Sequence, residues 1–408
     1  MLTALTLTLL LAPPGPEPPP APPLISPPVF RAEVVKPGAA PTLIDEGATS
    51  AVSGPEGRAV AWLARGQLQV LDLGRGATKP KTLGPAAGWL KPSPDGRFVV
   101  SPGSPLQRDG LETKDGRITL AKGEALHQLT GLAIGRTHFG FISGAGRVVV
   151  ASLDEGVARS LVVDAPKDAR CHMGDGFPRD FTADGQWLMF QSGCDAHGAA
   201  KVDGSALVKL DFDSAKVVGQ HVVGSKSNGP IQVAALDTQE RWTIPNSSLA
   251  PFPFVYPLEG RAAFVQANHD GLEFVDLREK TVRMVLPAGE VGPVSSFLSP
   301  ASDGQRVLAI RQGATACELH LVDLRPGAKS STLARLDGVT MCEARWAGPK
   351  RAVLYGWGGA SSVLADIDLQ TLVLRTHGGL LGPPGNVMAS TKGALVVSGG
   401  RVLFVPLD

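Results

Sequence analysis

The sequence predicts an all-β fold of repeated four-stranded units, and two observations lead to this prediction. Aspartate ends a short strand-like run eight times along the 408-residue chain, and subtraction gives intervals of 39 to 65 residues between these positions. The aspartates are Asp72, Asp115, Asp154, Asp211, Asp276, Asp323, Asp366 and Asp408. The composition, with 49 glycines and 34 prolines, favours many short strands and turns over helices. A strand-rich repeat with a period of about 40 residues is typical of a β-propeller.

A turn-like segment precedes each repeat aspartate, usually by 15 to 19 residues. The eight segments are Pro55–Arg58, Ser93–Arg97, Ile134–Arg136, Ala183–Gln186, Leu258–Arg261, Ser302–Gln305, Gly348–Arg351 and Lys392–Gly393. Asp-Gly and Glu-Gly pairs suit hairpin turns because glycine accepts a positive φ and an aspartate side chain hydrogen-bonds nearby backbone. A second strand is therefore expected after each turn, and a third strand is expected to end at the repeat aspartate.

A fourth strand follows every repeat aspartate except the last, as in Lys79–Leu83, Lys216–Val223 and Thr281–Leu286. Four antiparallel strands make one propeller blade, so we expect eight blades, with seven as the alternative. The last unit has three strands and leaves an unpaired edge. The strand-like segment Phe30–Val35 has no blade of its own. We expect it to pair with Arg401–Pro406 and to close the ring.

The turn Ser93-Pro94-Asp95-Gly96 resembles the turn of TolB-type, WD-like propeller repeats. The resemblance covers roughly residues 45 to 408, and the other turns match it in part. It implies a propeller fold and a platform that binds a protein or cell-envelope partner outside the cytoplasm. Because such repeats serve many activities, the resemblance implies the fold more strongly than the function.

Three segments are expected along the chain. Residues 1–12 are largely apolar but too short to span a bilayer as a helix, which favours a signal peptide. The absence of Lys or Arg before Arg31, and of a clean Ala-x-Ala cleavage site, argues against this interpretation. Residues 13–28 are dominated by proline and are interpreted as an extended tether. Residues 29–408 are expected to form one propeller domain, periplasmic or secreted, with no transmembrane span.

The charge balance limits the classes of partner. The formal net charge of +1 provides no basic field that would attract nucleic acid or an anionic membrane. We therefore expect no nucleic-acid partner. No cofactor is indicated by the sequence either, and none is expected.

Four cysteines favour disulfides over free thiols, because the number is even and the chain is expected to be exported. Two kinds of propeller loop open on the same face: those joining the second strand to the third, and those joining one blade to the next. All four cysteines fall at or beside such loops. We therefore expect one bridge between Cys171 and Cys194 and a second between Cys317 and Cys342.

A metal site is the alternative for the first pair. Cys171, His172, Cys194 and His197 supply two sulfurs and two imidazoles, which are ligand types that zinc prefers. Adjacent side chains on an extended segment point to opposite sides, so Cys171 and His172 reach one ion only in an irregular loop. Disulfides are therefore favoured over a metal site, and free thiols are the third possibility.

Length anomalies single out blade four as the candidate functional region. Gly185 to Asp211 spans 26 residues against the usual 15 to 19, with the surplus around Gly193–Gly198. Asp211 to Gly260 spans 49 residues against 20 to 31 elsewhere, which predicts an insertion near Gly224–Ala250. Loops on a rigid scaffold concentrate binding residues. The alternative is that these loops merely differ in length or cover an exposed edge.

The candidate binding residues on this face are ionisable and cluster in the same loops. They are Arg170, His172, Asp175, Arg179, Asp180, Asp195, His197 and His221. A histidine with two carboxylates can perform acid–base chemistry, although such a set is more often a solvated loop surface. No catalytic residue is assigned.

Two classes of function are compatible with the sequence. The first is a non-enzymatic, extracytoplasmic binding or scaffold propeller that engages a protein or envelope partner through the elaborated face of blade four. The alternative is a propeller hydrolase or lyase with its site in the central funnel. An enzyme is expected to bring several ionisable side chains with perturbed pKa values together in the funnel, whereas a platform is expected to present a broad surface.

Overall fold

We describe the fold from a computed structural model of the chain. The structure describes residues 29–53, 59–85, 90–92, 98–100, 110–113, 116–119, 133–142, 148–152, 158–160, 177–192, 196–226, 229–245, 247, 255–295, 297–358, 361–378 and 386–407. The predicted signal peptide and tether therefore lie outside the described residues.

The described residues form nine sheets, which we call blades 1 to 9; each contains four strands that pair antiparallel, in chain order in blades 1 to 8. Blade 1 contains Ala48–Ser53, Ala59–Ala64, Gln67–Asp72 and Lys81–Pro85. Blade 2 contains Leu90–Pro92, Phe98–Val100, Gly110–Thr113 and Gly116–Thr119. Blade 3 contains Ala133–Ile134, His138–Ile142, Val148–Ser152 and Ala158–Ser160. Blade 4 contains Phe177–Phe181, Trp187–Ser192, Ala196–Lys201 and Leu207–Leu210. A short 3₁₀ helix, Leu73–Arg75, follows the third strand of blade 1.

The remaining blades follow in the same order. Blade 5 contains Ser214–Val218, His221–Ser225, Gln232–Ala235 and Arg241–Thr243. Blade 6 contains Val255–Pro257, Ala263–Asn268, Gly271–Asp276 and Thr281–Pro287. Blade 7 contains Ser299–Pro300, Arg306–Gln312, Ala316–Asp323 and Ser331–Asp337. Blade 8 contains Met341–Trp346, Arg351–Gly358, Ser361–Asp368 and Val373–His377. Blade 9 contains Asn386–Ala389, Gly393–Ser398, Arg401–Pro406 and, as its fourth strand, Thr42–Glu46.

These antiparallel four-stranded units confirm the predicted all-β propeller repeat fold, but the predicted count of eight blades is too low. The segment interpreted as an insertion near 224–250 contains the third and fourth strands of a complete sheet, blade 5. Lys216–Val223, predicted as one strand, contains the turn between the first two strands of that blade. The two long intervals beside Asp211 arise because the predicted series of aspartates contains none for blade 5.

The turns after the third strands explain the miscount. Asp276 accepts hydrogen bonds from the backbone N–H groups of Arg278 and Glu279, which caps the turn into the fourth strand. In blade 4 the residue with this role is Asp203, which accepts from the N–H and hydroxyl of Ser205. Asp211 instead follows the fourth strand of that blade. Aspartate is common in such turns because its side chain hydrogen-bonds backbone two or three residues ahead.

An N-terminal strand completes the last blade, but not the predicted one. Thr42–Glu46 pairs antiparallel with Arg401–Phe404, whereas Phe30 lies opposite Leu336 at the outer edge of blade 7. Val34–Pro37 adds a parallel fifth strand beside Val373–Thr376 of blade 8. Residues 29–46, which we call the N-terminal strap, thus follow the outer edges of three successive blades.

The core lies between neighbouring blades, where buried side chains from adjacent sheets pack together. The cluster between blade 9 and blade 1 includes Phe404 and Val402 on one side and Trp62 and Leu71 on the other. The first strands of successive blades contact one another at most of the described junctions, including that between blade 9 and blade 1. The first strands therefore lie on the inner side of the array, and the fourth strands lie on the outer side.

A buried carboxylate joins the strap to blade 1. Asp45, only 9% exposed, accepts a hydrogen bond of 2.9 Å from the indole Nε1 of Trp62 and pairs with Arg65 at 2.5 Å. The guanidinium of Arg65 is mostly exposed. Removing the carboxylate therefore leaves mainly the buried indole N–H without a hydrogen-bond acceptor, because the guanidinium can hydrogen-bond water.

We predict that Asp45→Ala lowers the free energy of unfolding by about 1 to 3 kcal/mol, the usual penalty for an unsatisfied buried polar group. Urea unfolding measures this change. Glu46→Ala, an exposed neighbour on the same strand, is the matched control and should have little effect. An Asp45→Ala protein as stable as the wild type would show that this contact does not hold blade 9 to blade 1.

Candidate functional site

The structure describes four of the eight predicted binding residues. Arg179 and Asp180 lie in the first strand of blade 4, His197 lies in its third strand, and His221 begins the second strand of blade 5. The other four candidates lie outside the described residues: Arg170, His172, Asp175 and Asp195.

Arg179 and Asp180 occupy the inner side of the array. Arg179 is exposed, and its guanidinium donates to the side-chain carbonyl of Gln191 on the next strand. Asp180 forms an ion pair of 3.0 Å with Lys216, on the first strand of blade 5. A guanidinium, a carboxylate and an ammonium are thus held on two adjacent inner strands, with the Gln191 amide on the second strand of blade 4. This group offers donors of fixed geometry to a polar partner.

Blades 4 and 5 are linked by further polar contacts toward their outer edges. The indole of Trp187 donates to Asp237 at 2.8 Å. Arg241 donates to the carbonyl of Lys209 at 2.5 Å. Lys226 pairs with Asp211 at 2.7 Å, and this hydrogen bond raises the pKa of the lysine. With a shared apolar core beneath them, these contacts make blades 4 and 5 one rigid support.

His197 is a packing residue. It is 6% exposed, and its Nδ1 lies 2.8 Å from the carbonyl of Phe212, in the passage from blade 4 to blade 5. A Cβ on the adjacent Gly198 would lie 2.5 Å from the ring of Phe190, so the third strand is closely covered here. The prediction of His197 as a surface contact is wrong because its ring is enclosed between the blades.

His221 lies apart from Arg179 and Asp180, near the junction of blades 5 and 6. Its ring contacts the indole of Trp242 edge-on, with 5.5 Å between centroids, and Lys280 lies over the same indole. Burial lowers the pKa of His221, so its neutral form is favoured at pH 7. The four candidates that the structure describes are therefore not gathered into one acid–base site.

One predicted disulfide is confirmed. Cys317 and Cys342 are bonded and fully buried, and they join the third strand of blade 7 to the first strand of blade 8. Both cysteines are the second residue of their strands, so they lie at the same face, as predicted. Cys171 and Cys194 lie outside the described residues, and both their bridge and the zinc alternative stay predictions.

Sequence reasoning missed Gln191 and Lys216, which the structure places beside Arg179 and Asp180. Lys216 was assigned to an outer strand because blade 5 was not recognised. The signal that could have found it is the Val218-Gly219-Gln220-His221 turn, since Gly219 has φ 61°. A glycine in this conformation marks a hairpin turn.

The inner strands of blades 6 and 8 carry a second group of ionisable residues. Glu343 and Arg345 pair at 3.3 Å on the first strand of blade 8. Tyr256 lies on the first strand of blade 6, and burial raises its pKa. Burial also raises the pKa of Tyr355, to about 12. Raised values keep both phenols protonated, whereas a phenol acting as a base needs a lowered pKa.

The opposite face contains a pocket of about 680 Å³ between blades 6 and 7. Its wall includes Glu259 and Arg261 from one turn and Asp303 and Arg325 from two others. The positive groups are already engaged, since Arg325 pairs with Asp323 and Arg261 donates to the carbonyl of Gly304. The side chains of this pocket carry both signs of charge.

Two features are absent from the part of the chain that the structure describes. Within that part of the chain, no group of three or more histidine, cysteine, aspartate or glutamate residues is arranged to hold a metal ion. The described segments also contain no helix with the length and apolar character needed to cross a membrane.

No protein-family model matches the chain, and no curated protein matches it. Solved structures with a similar fold include the C-terminal WD40 domain of Sif2. It is 11% identical with a TM-score of 0.49, and the match covers 91% of this chain and 99% of that one. The WD40 domain of SCAP from fission yeast is 10% identical with a TM-score of 0.42, covering 92% and 98%. A putative TolB from Agrobacterium tumefaciens is 19% identical with a TM-score of 0.30, covering 48% and 80%. At these identities the likeness concerns the fold alone.

We predict that the unreduced protein yields a cross-linked peptide pair containing Cys317 and Cys342 in mass spectrometry. The double variant Cys317→Ser/Cys342→Ser should lose roughly 3 kcal/mol of stability, since the bond closes a loop of about 25 residues in the unfolded chain. Urea unfolding with and without reductant measures this loss. Two alkylatable thiols at these positions in the native protein would contradict the assignment.

Proposed function

We propose that this protein is a non-enzymatic binding or scaffold propeller that works outside the cytoplasm and engages a protein partner through blade 4. The observation that carries the proposal is the exposed Arg179 beside the Asp180–Lys216 ion pair, on inner strands that the blade 4 and blade 5 contacts hold rigid. Pre-organised polar groups lose little conformational entropy on binding, so they favour recognition of a polar partner surface.

The loops predicted to elaborate blade 4 remain part of this proposal. They are residues 165–180, which include Arg179 and Asp180, and residues 191–206, which include Gln191. The range 224–250, by contrast, contains strands of blade 5, Gln232–Ala235 and Arg241–Thr243, which lie beside blade 4. We propose that Arg170, His172, Asp175 and Asp195 extend the polar surface around Arg179, and that a Cys171–Cys194 bridge stiffens it.

Two observations support an extracytoplasmic setting. The Cys317–Cys342 disulfide is typical of proteins that fold in oxidising compartments, because cytosolic thiols are kept reduced. The apolar residues 1–12 and the proline-rich residues 13–28 fit an export signal followed by a tether. The proposed partner is therefore an exported protein or a component of the cell envelope.

A hydrolase or lyase with its site in the central funnel is the second candidate. The inner-strand residues Tyr256, Glu343 and Arg345 are the observation in its favour. Glu343 is engaged with Arg345, and the raised pKa of Tyr256 opposes a role as a base. These contacts favour the binding platform over the enzyme.

We predict that Arg179→Glu weakens binding of the partner by at least about tenfold, because it places a carboxylate beside Asp180 and removes the guanidinium donors. The wild type is used to capture and identify the partner from an extracytoplasmic fraction, and dissociation constants are then measured with purified proteins. Lys350→Glu makes the same charge change at an exposed turn of blade 8 and is the matched control.

Both variants should unfold at the wild-type urea concentration, since neither side chain is buried. Equal loss of affinity in Arg179→Glu and Lys350→Glu would indicate a general charge effect. Full affinity in the folded Arg179→Glu protein would place the recognition surface elsewhere.

A further inference from the structure

We propose that His377 and Asp366 form a proton-dependent latch that fastens the N-terminal strap to blade 8. His377 ends the fourth strand of this blade, directly beneath the strap. Its side chain is almost fully buried, at 2% exposure, and Asp366 on the neighbouring strand is completely buried. The strap covers this buried histidine–carboxylate pair, so docking of the strap can depend on whether the pair is protonated.

Both ring nitrogens of His377 face oxygen atoms. Nε2 lies 2.9 Å from Oδ1 of Asp366, and Nδ1 lies 2.8 Å from the backbone carbonyl of Ala39 in the strap. The carbonyl carries no hydrogen, so Nδ1 must donate to it. The contact between Nε2 and the carboxyl group then needs one more proton, on either the ring or the carboxyl group.

The proton therefore belongs to the pair, whichever of the two groups carries it. A neutral imidazole beside an ionised carboxylate has one N–H, which serves either Asp366 or Ala39 but not both. When the strap leaves, water can donate to Nδ1, and the remaining N–H can donate to Asp366. The His377–Asp366 pair thus takes up one proton when the strap docks, and it can satisfy its hydrogen bonds without this proton when the strap is released.

The local backbone is shaped for this contact. A Cβ on Gly38 would lie 2.4 Å from the ring of His377, so only glycine allows the strap to cross the imidazole so closely. The N–H of Gly38 donates to the carbonyl of Thr376 at 2.8 Å, next to the histidine. Any substitution at Gly38 would therefore displace the strap from His377.

Charged side chains approach the pair from the strands of blade 8 and from the strap. Arg351 on the second strand and Arg375 on the fourth strand face the other oxygen of Asp366, at 3.5 and 3.3 Å. Both guanidinium groups are partly exposed, so water screens their repulsion of a protonated ring. On the strap side the charged neighbour is Lys36, which is exposed.

The sign of the effect follows from proton linkage. The docked strap holds one proton more than the released strap, so docking weakens as pH rises. The strand Val34–Pro37, which precedes the latch residues of the strap, is exposed and contributes few buried contacts. Loss of the latch should therefore release this part of the strap while blade 9 keeps its fourth strand, which Asp45 holds independently.

Hydrogen exchange with mass spectrometry on the full chain tests the latch. After correction for intrinsic exchange rates, protection of amides in residues 34–40 should fall by at least about tenfold between about pH 5.5 and about pH 9. The Gly38 amide is the direct reporter. Protection of Arg401–Pro406 in blade 9 should stay constant over this range.

Variants separate the latch from a general effect of pH. His377→Gln should lose the pH dependence, and His269→Gln, at a fully exposed histidine, should keep it. Asp366→Asn offers an amide that donates to Nε2 while Nδ1–H serves Ala39, so strap protection should become independent of pH. If His377→Gln does not fold, the pH dependence of strap protection in Asp366→Asn alone tests the proposal. Constant protection in the wild type, or unchanged pH dependence in either latch variant, would overturn the proposal.

Discussion

The pairing of Thr42–Glu46 with Arg401–Phe404 is the constraint on which the rest of this architecture depends. Every backbone N–H and C=O of a sheet needs a partner, and an exposed edge invites pairing with other chains. Blade 9 obtains only three strands from its own segment, so its outer edge is completed from the other end of the chain. The same strand delivers Asp45 to Trp62, which couples this backbone pairing to the side-chain packing between blade 9 and blade 1.

Cross-blade contacts by tryptophan recur along the array. Trp187 donates to a carboxylate of blade 5, and Trp346 of blade 8 donates to the carbonyl of Ser299 in blade 7. An indole packs a large apolar area between two sheets and still satisfies its single N–H at the edge of the core. Close approach of the sheets also needs small residues. A Cβ on Gly304 would lie 2.4 Å from the carbonyl of Glu259 in the neighbouring blade. Apolar burial, indole donors and small turn residues thus all contribute to the junctions between the described blades.

The sequence predicted the repeat, the strand content and the Cys317–Cys342 bond, because each has a local signal in turn residues or cysteine positions. It did not predict blade 5, because the aspartate in the turn after the third strand of blade 4 is Asp203, not Asp211. Both aspartates follow apolar runs, and only the hydrogen bonds to Ser205 distinguish them. It also chose Phe30–Val35 as the strand of blade 9, since apolar residues indicate strands more strongly than the acidic Thr42–Glu46 does. Long-range pairing and the enclosure of His197 depend on tertiary contacts that no local pattern encodes.

The strand that completes blade 9 is among the first parts of the propeller to be synthesised and among the last to be used. Thr42 lies opposite Phe404, and subtraction gives a separation of 362 residues. At translation rates of about 5 to 20 residues per second, this strand waits roughly 20 to 70 seconds for its partner. During that interval it is an unpaired β-segment, which is a hazard for aggregation. Its acidic residues Asp45 and Glu46 then act as gatekeepers, because like charges oppose edge-to-edge association until one carboxylate is buried against Trp62.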